Sequence, residues 1–352
     1  MDHLLNPELP ILPQVAPTWR GNPILDGQFQ YVHDPFVPEW TSIMRMLVLP
    51  NPQRAEKKAD KWVPPVNGSV DYLADRSKNW IVWLGHACFL LQLNGQRYLI
   101  DPQLEDMPLI RRRVSPPFHY RELTGIDYLL LSHDHRDHVD EDCIRTICAN
   151  NSIRKILAPL RLSDIIGDWV GDTPIEEAAW YQQYALPAAG GVTVTFLPSR
   201  HWCRRGLTDF NERLWGSFMI EVGAGGAGEM QTENGATNRT IYFGGDSALT
   251  DYWKEIGEFF PNIDLAMLGI GAYKPEYMMR SNHANPSEAF IGYRDLGATY
   301  WWPMHHGTYD LSNEPASEPI LWATKIMGKH GLGERLVQPA VNEPWWFNSS
   351  RE

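Results

Sequence analysis

Between Asn79 and Met304 the chain alternates short apolar runs with polar, turn-forming stretches. "NWIVWLGHACFLLQLNGQRYLIDP" (79–102) reads as successive strands. Its Asn94-Gly95 pair predicts a tight hairpin, because both central positions of such a turn favour positive φ. "IDYLLLS" (126–132) predicts a buried strand. The runs "KILAPL", "GVTVTFLPS", "WGSFMIEV", "TIYFGGD", "DLAMLGIG" and "TYWWPM" follow it, each short and apolar enough for a strand buried on both faces. Helical patterns fall between several of them: "DEDCIRTICAN" (140–150), "DYWKEIGEFF" (251–260) and "NPSEAFIGYRDLG" (285–297). This order predicts an α/β or α+β fold, with buried sheets covered by helices.

The flanks differ in texture. Residues 1–78 are rich in proline and tryptophan. Within them "PEWTSIMRMLVLP" (38–50) places Trp40, Ile43, Met44 and Leu47 at helical spacing. We read 1–78 as an N-terminal arm packed on one domain that spans 1–352. The other reading of that helix is a surface that meets lipid or a partner subunit. "GAGGAGEMQTENGATNR" (223–239) predicts a flexible loop between two strands. No internal repeat and no linker divides the chain.

Composition narrows the class. Hydrophobic residues make up 43% and charged residues 21%, a globular balance. The net charge of −12 argues against a nucleic-acid partner, which calls for a basic face. The four cysteines, Cys88, Cys143, Cys148 and Cys203, form no C-x-x-C pair and read as reduced thiols of a cytoplasmic protein. No signal-peptide pattern and no long apolar span is evident. Membrane contact would therefore be peripheral, and a homo-oligomer stays open.

The chemistry sits where apolar runs stop. "YLLL" leads into "SHDHRDH", with His133, His135, Asp137 and His138 in six positions. If the segment is extended, His133, His135 and Asp137 share a face and His138 reaches a second point. Such a loop can serve two metal ions about 3.5–4 Å apart. "TFLPSRH" stops at His201, "IYFGGD" at Asp246 and "YWWPMHH" at His305 and His306, while His283 lies in a loop before a helix. Any one of these reads alone as a structural histidine or a turn-capping aspartate. The dense cluster does not, because buried imidazoles and carboxylates need compensation.

"HDHRDH" resembles the H-x-H-x-D-H signature of the metallo-β-lactamase superfamily. "PTWRGNP", "WLGHA", "LIDP", "LLLSHDHRDH", "PSRHWCRRGLTDFNERLWGS", "FGGDS", "IGAYKPEYMMRSNHANPSEA" and "HHGTYDL" resemble, in the same order, segments of its N-acylphosphatidylethanolamine-hydrolysing phospholipase D subfamily. The resemblance runs from about Ala16 to about Phe347. It implies a four-layer αβ/βα sandwich and two divalent metal ions, zinc foremost with manganese or iron as alternatives. It implies one metal on His133, His135 and His201, the other on Asp137, His138 and His305, and Asp246 between them. His283 then falls where the phosphate or leaving group is contacted. His306 stands where the lipase has tryptophan, which marks it as a substrate-side position. His86 and Asp101 would support ligands from behind. "GGDSALT" departs from the family's Gly-Asp-Thr-Gly, and the 223–239 loop is longer than the family's.

The implied activity is metal-assisted hydrolysis of an anionic phosphodiester, N-acyl phosphatidylethanolamine or a related lipid. Three alternatives stand beside it. One is a lactonase of the ascorbate-6-phosphate type, which would have a small basic pocket. Another is a nuclease of the same superfamily, which the acidic charge disfavours. The last is a metal-binding protein without activity, which would lack a ligand; none is missing from the sequence.

Overall fold

The computed structural model describes residues 1–31, 40–223 and 238–346. Two mixed sheets carry the fold. The first has seven strands in the order Pro344–Trp346, Trp80–Gly85, Cys88–Leu93, Gln96–Ile100, Tyr128–Leu130, Lys155–Pro159 and Ile175–Ala178. The second has six, in the order Gln182–Gln183, Val192–Leu197, Ser217–Val222, Arg239–Phe243, Leu265–Gly269 and Tyr300–Met304. Each sheet is antiparallel at its start and parallel at its end. The parallel strands come from the part of the sequence where helices alternate with strands, as crossover connections require.

Strand periodicity explains the layers. In Trp80–Gly85, Ile81 and Trp83 join the core shared with the second sheet, whereas Trp80, Val82 and Leu84 join a separate core beneath helix Glu141–Asn150. The same alternation recurs in Cys88–Leu93 and Gln96–Ile100. These strands are thus buried on both faces, which is why they read as unbroken apolar runs rather than as half-polar ones. Helices Tyr252–Phe259, Pro286–Asp295 and Glu318–Lys329 lie against the second sheet. The four layers are those of the αβ/βα sandwich.

Most of the expected elements form. Asn94 and Gly95 take φ of 49° and 77° and join two antiparallel strands. Asp140 caps its helix by accepting from the Cys143 backbone N–H at 2.8 Å. Asn285 and Glu288 form a capping box with Pro286 at the helix start. The segment before Trp80 carries more strand than its composition suggests. Asp2–Leu4, Asn22–Leu25 and Gln28–Phe29 make a small antiparallel sheet, and Leu9, Leu12, Phe29 and Tyr31 enter the main core. Trp40–Val48 is a helix, and it contacts the short helix Glu276–Met279. The strands that flank the 223–239 insertion pair antiparallel; residues 224–237 of that loop lie outside the described residues. Six tryptophans are among the largest fully buried side chains. Among the described residues, no helix is long and apolar enough to cross a membrane.

Candidate metal centre

The site is assembled where strands of both sheets end. Tyr128–Leu130 leads into the loop that holds His133 to His138. Val192–Leu197 leads to His201, Arg239–Phe243 to Asp246, and Tyr300–Met304 to His305. Two glycines permit the close approach. A Cβ on Gly245 (φ 56°) would lie 2.5 Å from the Gly216 carbonyl oxygen, and one on Gly271 would lie 2.0 Å from that of His305.

Three ring nitrogens converge on one side. His135 Nδ1 lies 3.1 Å from His133 Nε2 and 3.1 Å from His201 Nε2. Ligands about 2.0–2.1 Å from a tetrahedral zinc are separated by about 3.3 Å, so this triad has the spacing of a metal shell. The outer ring nitrogens are held from behind. Ser132 Oγ donates to Asp101 Oδ2 at 2.6 Å, so it accepts from His133 Nδ1 at 2.9 Å. His201 Nδ1 donates to the Asn282 carbonyl at 3.0 Å. Both contacts turn an unprotonated Nε2 towards the centre.

The second group gathers opposite. Asp137 Oδ2 lies 3.3 Å from His305 Nε2 and 3.8 Å from His138 Nε2. His138 Nδ1 is held by Asp101 Oδ2 at 2.8 Å. Asp246 Oδ2 stands between the groups, at 3.1 Å from His305 Nε2, 3.3 Å from His138 Nε2, 3.7 Å from His201 Nε2 and 3.9 Å from His133 Nε2. Buried His135 Nε2, His138 Nε2, His305 Nε2 and Asp246 Oδ1 have no hydrogen-bond partner among the described residues. Leaving such atoms unpaired is costly, and a cation between the groups would satisfy those that face it. The donor set, imidazole and carboxylate without thiolate, suits zinc, manganese or iron.

The electrostatics agree with that fit. Burial holds His133 and His201 well below the ordinary imidazole range, so both are neutral and able to bind metal. Burial alone would raise Asp246 and Asp137. For Asp246 the charges of His305 and His138 outweigh it, and for Asp137 the charge of His138 with hydrogen bonds from His305 and His86 does, so both stay ionised well below their usual range. Burial also lowers His305, but Asp246 and Asp137 override it and lift this imidazole to about 9.

The remaining expectations separate here. His86 Nε2 lies 3.1 Å from Asp137 Oδ2, behind the second group. It has a φ of 56°, and its backbone N–H donates to Thr308 Oγ1 at 2.7 Å. Asp101 and His305 also lie in the left-handed region, at φ of 42° and 60°. Such backbone costs about 1–3 kcal/mol per residue and is held only where its surroundings enforce it. His283 reaches the centre, with Nδ1 3.7 Å from Asp246 Oδ2. His306 is enclosed: its ring stacks between Trp62 and Trp83, at centroid distances of 6.0 and 5.3 Å. Its neighbour Gly307 packs on Trp62 and Pro64. His306 also lines the cavity that His86 and His305 line. The alternation expected for His133, His135 and Asp137 does not hold, because the segment is an irregular loop and not a strand. Asp137 therefore parts from the two histidines and joins His138.

Two residues hold parts of the site without having been singled out from the sequence. Arg213 reaches Asp134 between the first two histidines, and Thr308 fixes His86. The sequence signal for Arg213 is the charged pair Glu212-Arg213 directly ahead of the apolar "LWG". Cys203 is buried and donates to the Leu214 carbonyl at 3.5 Å, away from the metal-facing atoms.

Residues 96–306 match the β-lactamase superfamily domain. The chain is 30% identical over 315 residues to N-acyl-phosphatidylethanolamine-hydrolyzing phospholipase D 1 of Caenorhabditis elegans, covering 85% of this chain and 80% of the nematode protein. The chain belongs to the metallo-β-lactamase superfamily, in its N-acylphosphatidylethanolamine-hydrolysing phospholipase D-like subfamily. Within that subfamily it is also 29% identical over 275 residues to the mitochondrial enzyme of the same designation in Saccharomyces cerevisiae, a match covering 76% of this chain and 55% of the yeast protein. Solved structures share the fold. Igni18 from Ignicoccus hospitalis, a metallo hydrolase, superposes with a TM-score of 0.55 at 17% identity, covering 77% of this chain and 99% of that one. An isothiocyanate hydrolase from Delia radicum gut bacteria does so with a TM-score of 0.57 at 16% identity, covering 77% and 100%. At these identities the structures speak for the fold alone. The coarse class is a metal-dependent hydrolase of the metallo-β-lactamase superfamily.

Proposed function

We propose that the chain is a binuclear phosphodiesterase of phospholipase D type, acting on N-acyl phosphatidylethanolamine or a related lipid. The observation that carries this reading is the position of Asp246 Oδ2, within 3.1–3.9 Å of imidazole nitrogens from both groups. Asp246 would therefore be common to both ligand groups. In this reading His133, His135 and His201 would hold the first metal, and Asp137, His138 and His305 the second. Bound divalent cations supply Lewis-acid polarisation of the phosphoryl oxygens and acidify coordinated water.

The chain's own residues do the rest. His283 is half-buried beside Asp246, and burial lowers its imidazole to about 4, so it faces substrate as a neutral ring. A neutral imidazole there hydrogen-bonds a phosphoryl oxygen or the leaving group and orients the ester for in-line attack. His86 and Asp101 keep Asp137 and His138 in register. The lipid side is supported by the mouth. Helix Trp40–Val48 sits against the 276–279 segment through Arg45, whose guanidinium lies 4.3 Å from the Tyr277 ring centroid. Exposed Met44, Val48 and Leu49 thus lie on an element next to the His283 segment and offer an apolar approach.

A substrate panel tests the assignment. Purified, metal-loaded protein is offered N-acyl phosphatidylethanolamine, a generic aryl phosphodiester and a lactone. Cleavage of the lipid with release of phosphatidic acid supports the reading. Cleavage of the lactone alone replaces it with the lactonase.

A further inference from the structure

A second, basic groove adjoins the wall of the metal centre. Between the short helix Arg54–Ala59 and the segment that follows it is a groove of about 500 Å³ lined by Arg54, Lys57, Lys58, Lys61 and Arg113, with Trp62 on its wall. Five cations face one concavity in a chain whose net charge is −12. The carboxylates beside them do not balance that charge. Asp310 is shared by two of the cations, at 2.5 Å from Lys57 Nζ and 3.0 Å from Arg113 Nη2. Asp60 is taken by the Ser317 hydroxyl and N–H, each at 2.8 Å, and by the Trp62 N–H at 2.9 Å. Glu56 accepts from the Gln53 amide at 2.9 Å. Arg54, Lys58 and Lys61 make no ion pair among the described residues, and all three are exposed.

Like charges lining one groove repel, and an anion bound there would relieve that repulsion. We propose that this groove binds a phosphate group, on either a soluble phosphoester or a lipid headgroup. Arg54 offers a planar fork to phosphate oxygens, while Lys58 and Lys61 add point charges. Trp62 provides an apolar wall for the carbon attached to the ester oxygen. The same Trp62 stacks on His306, the neighbour of His305, so the groove and the metal centre share a wall. This site stands on its own residues and does not depend on which bond the metal centre cleaves.

The test compares the metal-loaded protein with its Arg54→Ala/Lys58→Ala/Lys61→Ala variant. One arm titrates glycerol 3-phosphate by calorimetry. The other sediments phosphatidylcholine vesicles doped with phosphatidic acid. We expect binding that weakens as salt is raised and that falls roughly a hundredfold in the variant, since a basic residue near an anionic surface contributes about 1 kcal/mol. Loss in the first arm identifies a soluble phosphoester, and loss in the vesicle arm alone identifies a headgroup. Phosphate held by the metal centre would bind both proteins equally. Equal binding, or no binding in either arm, overturns the proposal. Metal content and thermal melting check that the variant is folded. Should the triple variant not fold, Lys58→Glu serves in its place, with a loss of roughly tenfold.

Discussion

Arg213 Nε donates to Asp134 Oδ2 at 2.6 Å, with both side chains almost wholly out of water. Asp134 is the residue between His133 and His135, so this ion pair anchors the backbone of the histidine loop. Arg213 also engages Asp209, and Arg205 donates to the Asp134 and Val139 carbonyls at 2.9 and 2.7 Å. The loop's irregular shape is thus imposed by the 203–213 segment.

Arg213→Ala leaves Asp134 buried without its cation. The expected loss of stability is about 3–5 kcal/mol, read from urea unfolding. The double variant Asp134→Leu/Arg213→Met removes both charges and should recover most of it. Equal destabilisation in both variants would contradict this role for the pair.

Asp101 serves His138 and Ser132 together, accepting from His138 Nδ1 at 2.8 Å and from the Ser132 N–H and hydroxyl at 2.8 and 2.6 Å. Asp101→Asn should therefore weaken binding of the metal on the His138 side by about 10–100-fold. The metal on His133, His135 and His201 should be held more tightly in the same variant, so calorimetric titration should separate into two unequal phases. Uniform weakening of both would argue against a specific tie to His138.

Burial lowers the His306 imidazole to about 3 in the folded chain, and the slight repulsion from His305 adds to this. Unfolded, it titrates near 6.5. The unfolded chain therefore takes up a proton that the folded chain refuses. The stability this neutral ring contributes is complete above pH 6.5 and is lost as pH falls from there towards about 3, at about 1.4 kcal/mol per pH unit. His306→Phe keeps the stacking on Trp62 and Trp83 without the titration. In metal-free protein its unfolding free energy should fall less steeply over that window than the wild type's. Parallel profiles would show that His306 is not held neutral.

How much of this could be read from the chain depends on the kind of interaction. Period-2 burial and turn chemistry are local, so the strands around Asn94-Gly95 and the helix capped by Asp140 were legible. The loop histidines, His201, Asp246 and His305 were legible because they follow apolar runs that end at the same rim, whereas His283 came from the family resemblance. The grouping of Asp137 with His138 and His305 came from the family resemblance and not from strand spacing, since it depends on a loop held by Arg213, 79 residues from Asp134 in sequence. The enclosure of His306 was not legible, since it needs Trp62 and Trp83 to meet across the fold. The early three-stranded sheet was hidden by prolines that sit at and beside its strands.

Asp246 would join two metal positions in one hydrolytic centre. Metal content per chain, measured together with phosphodiester hydrolysis for wild type and Asp246→Asn, tests this most directly. Two divalent ions per wild-type chain are expected. Asp246→Asn should lose bound metal clearly, with hydrolysis reduced by several orders of magnitude. Fewer than one ion per wild-type chain, with hydrolysis unchanged in Asp246→Asn, would contradict it.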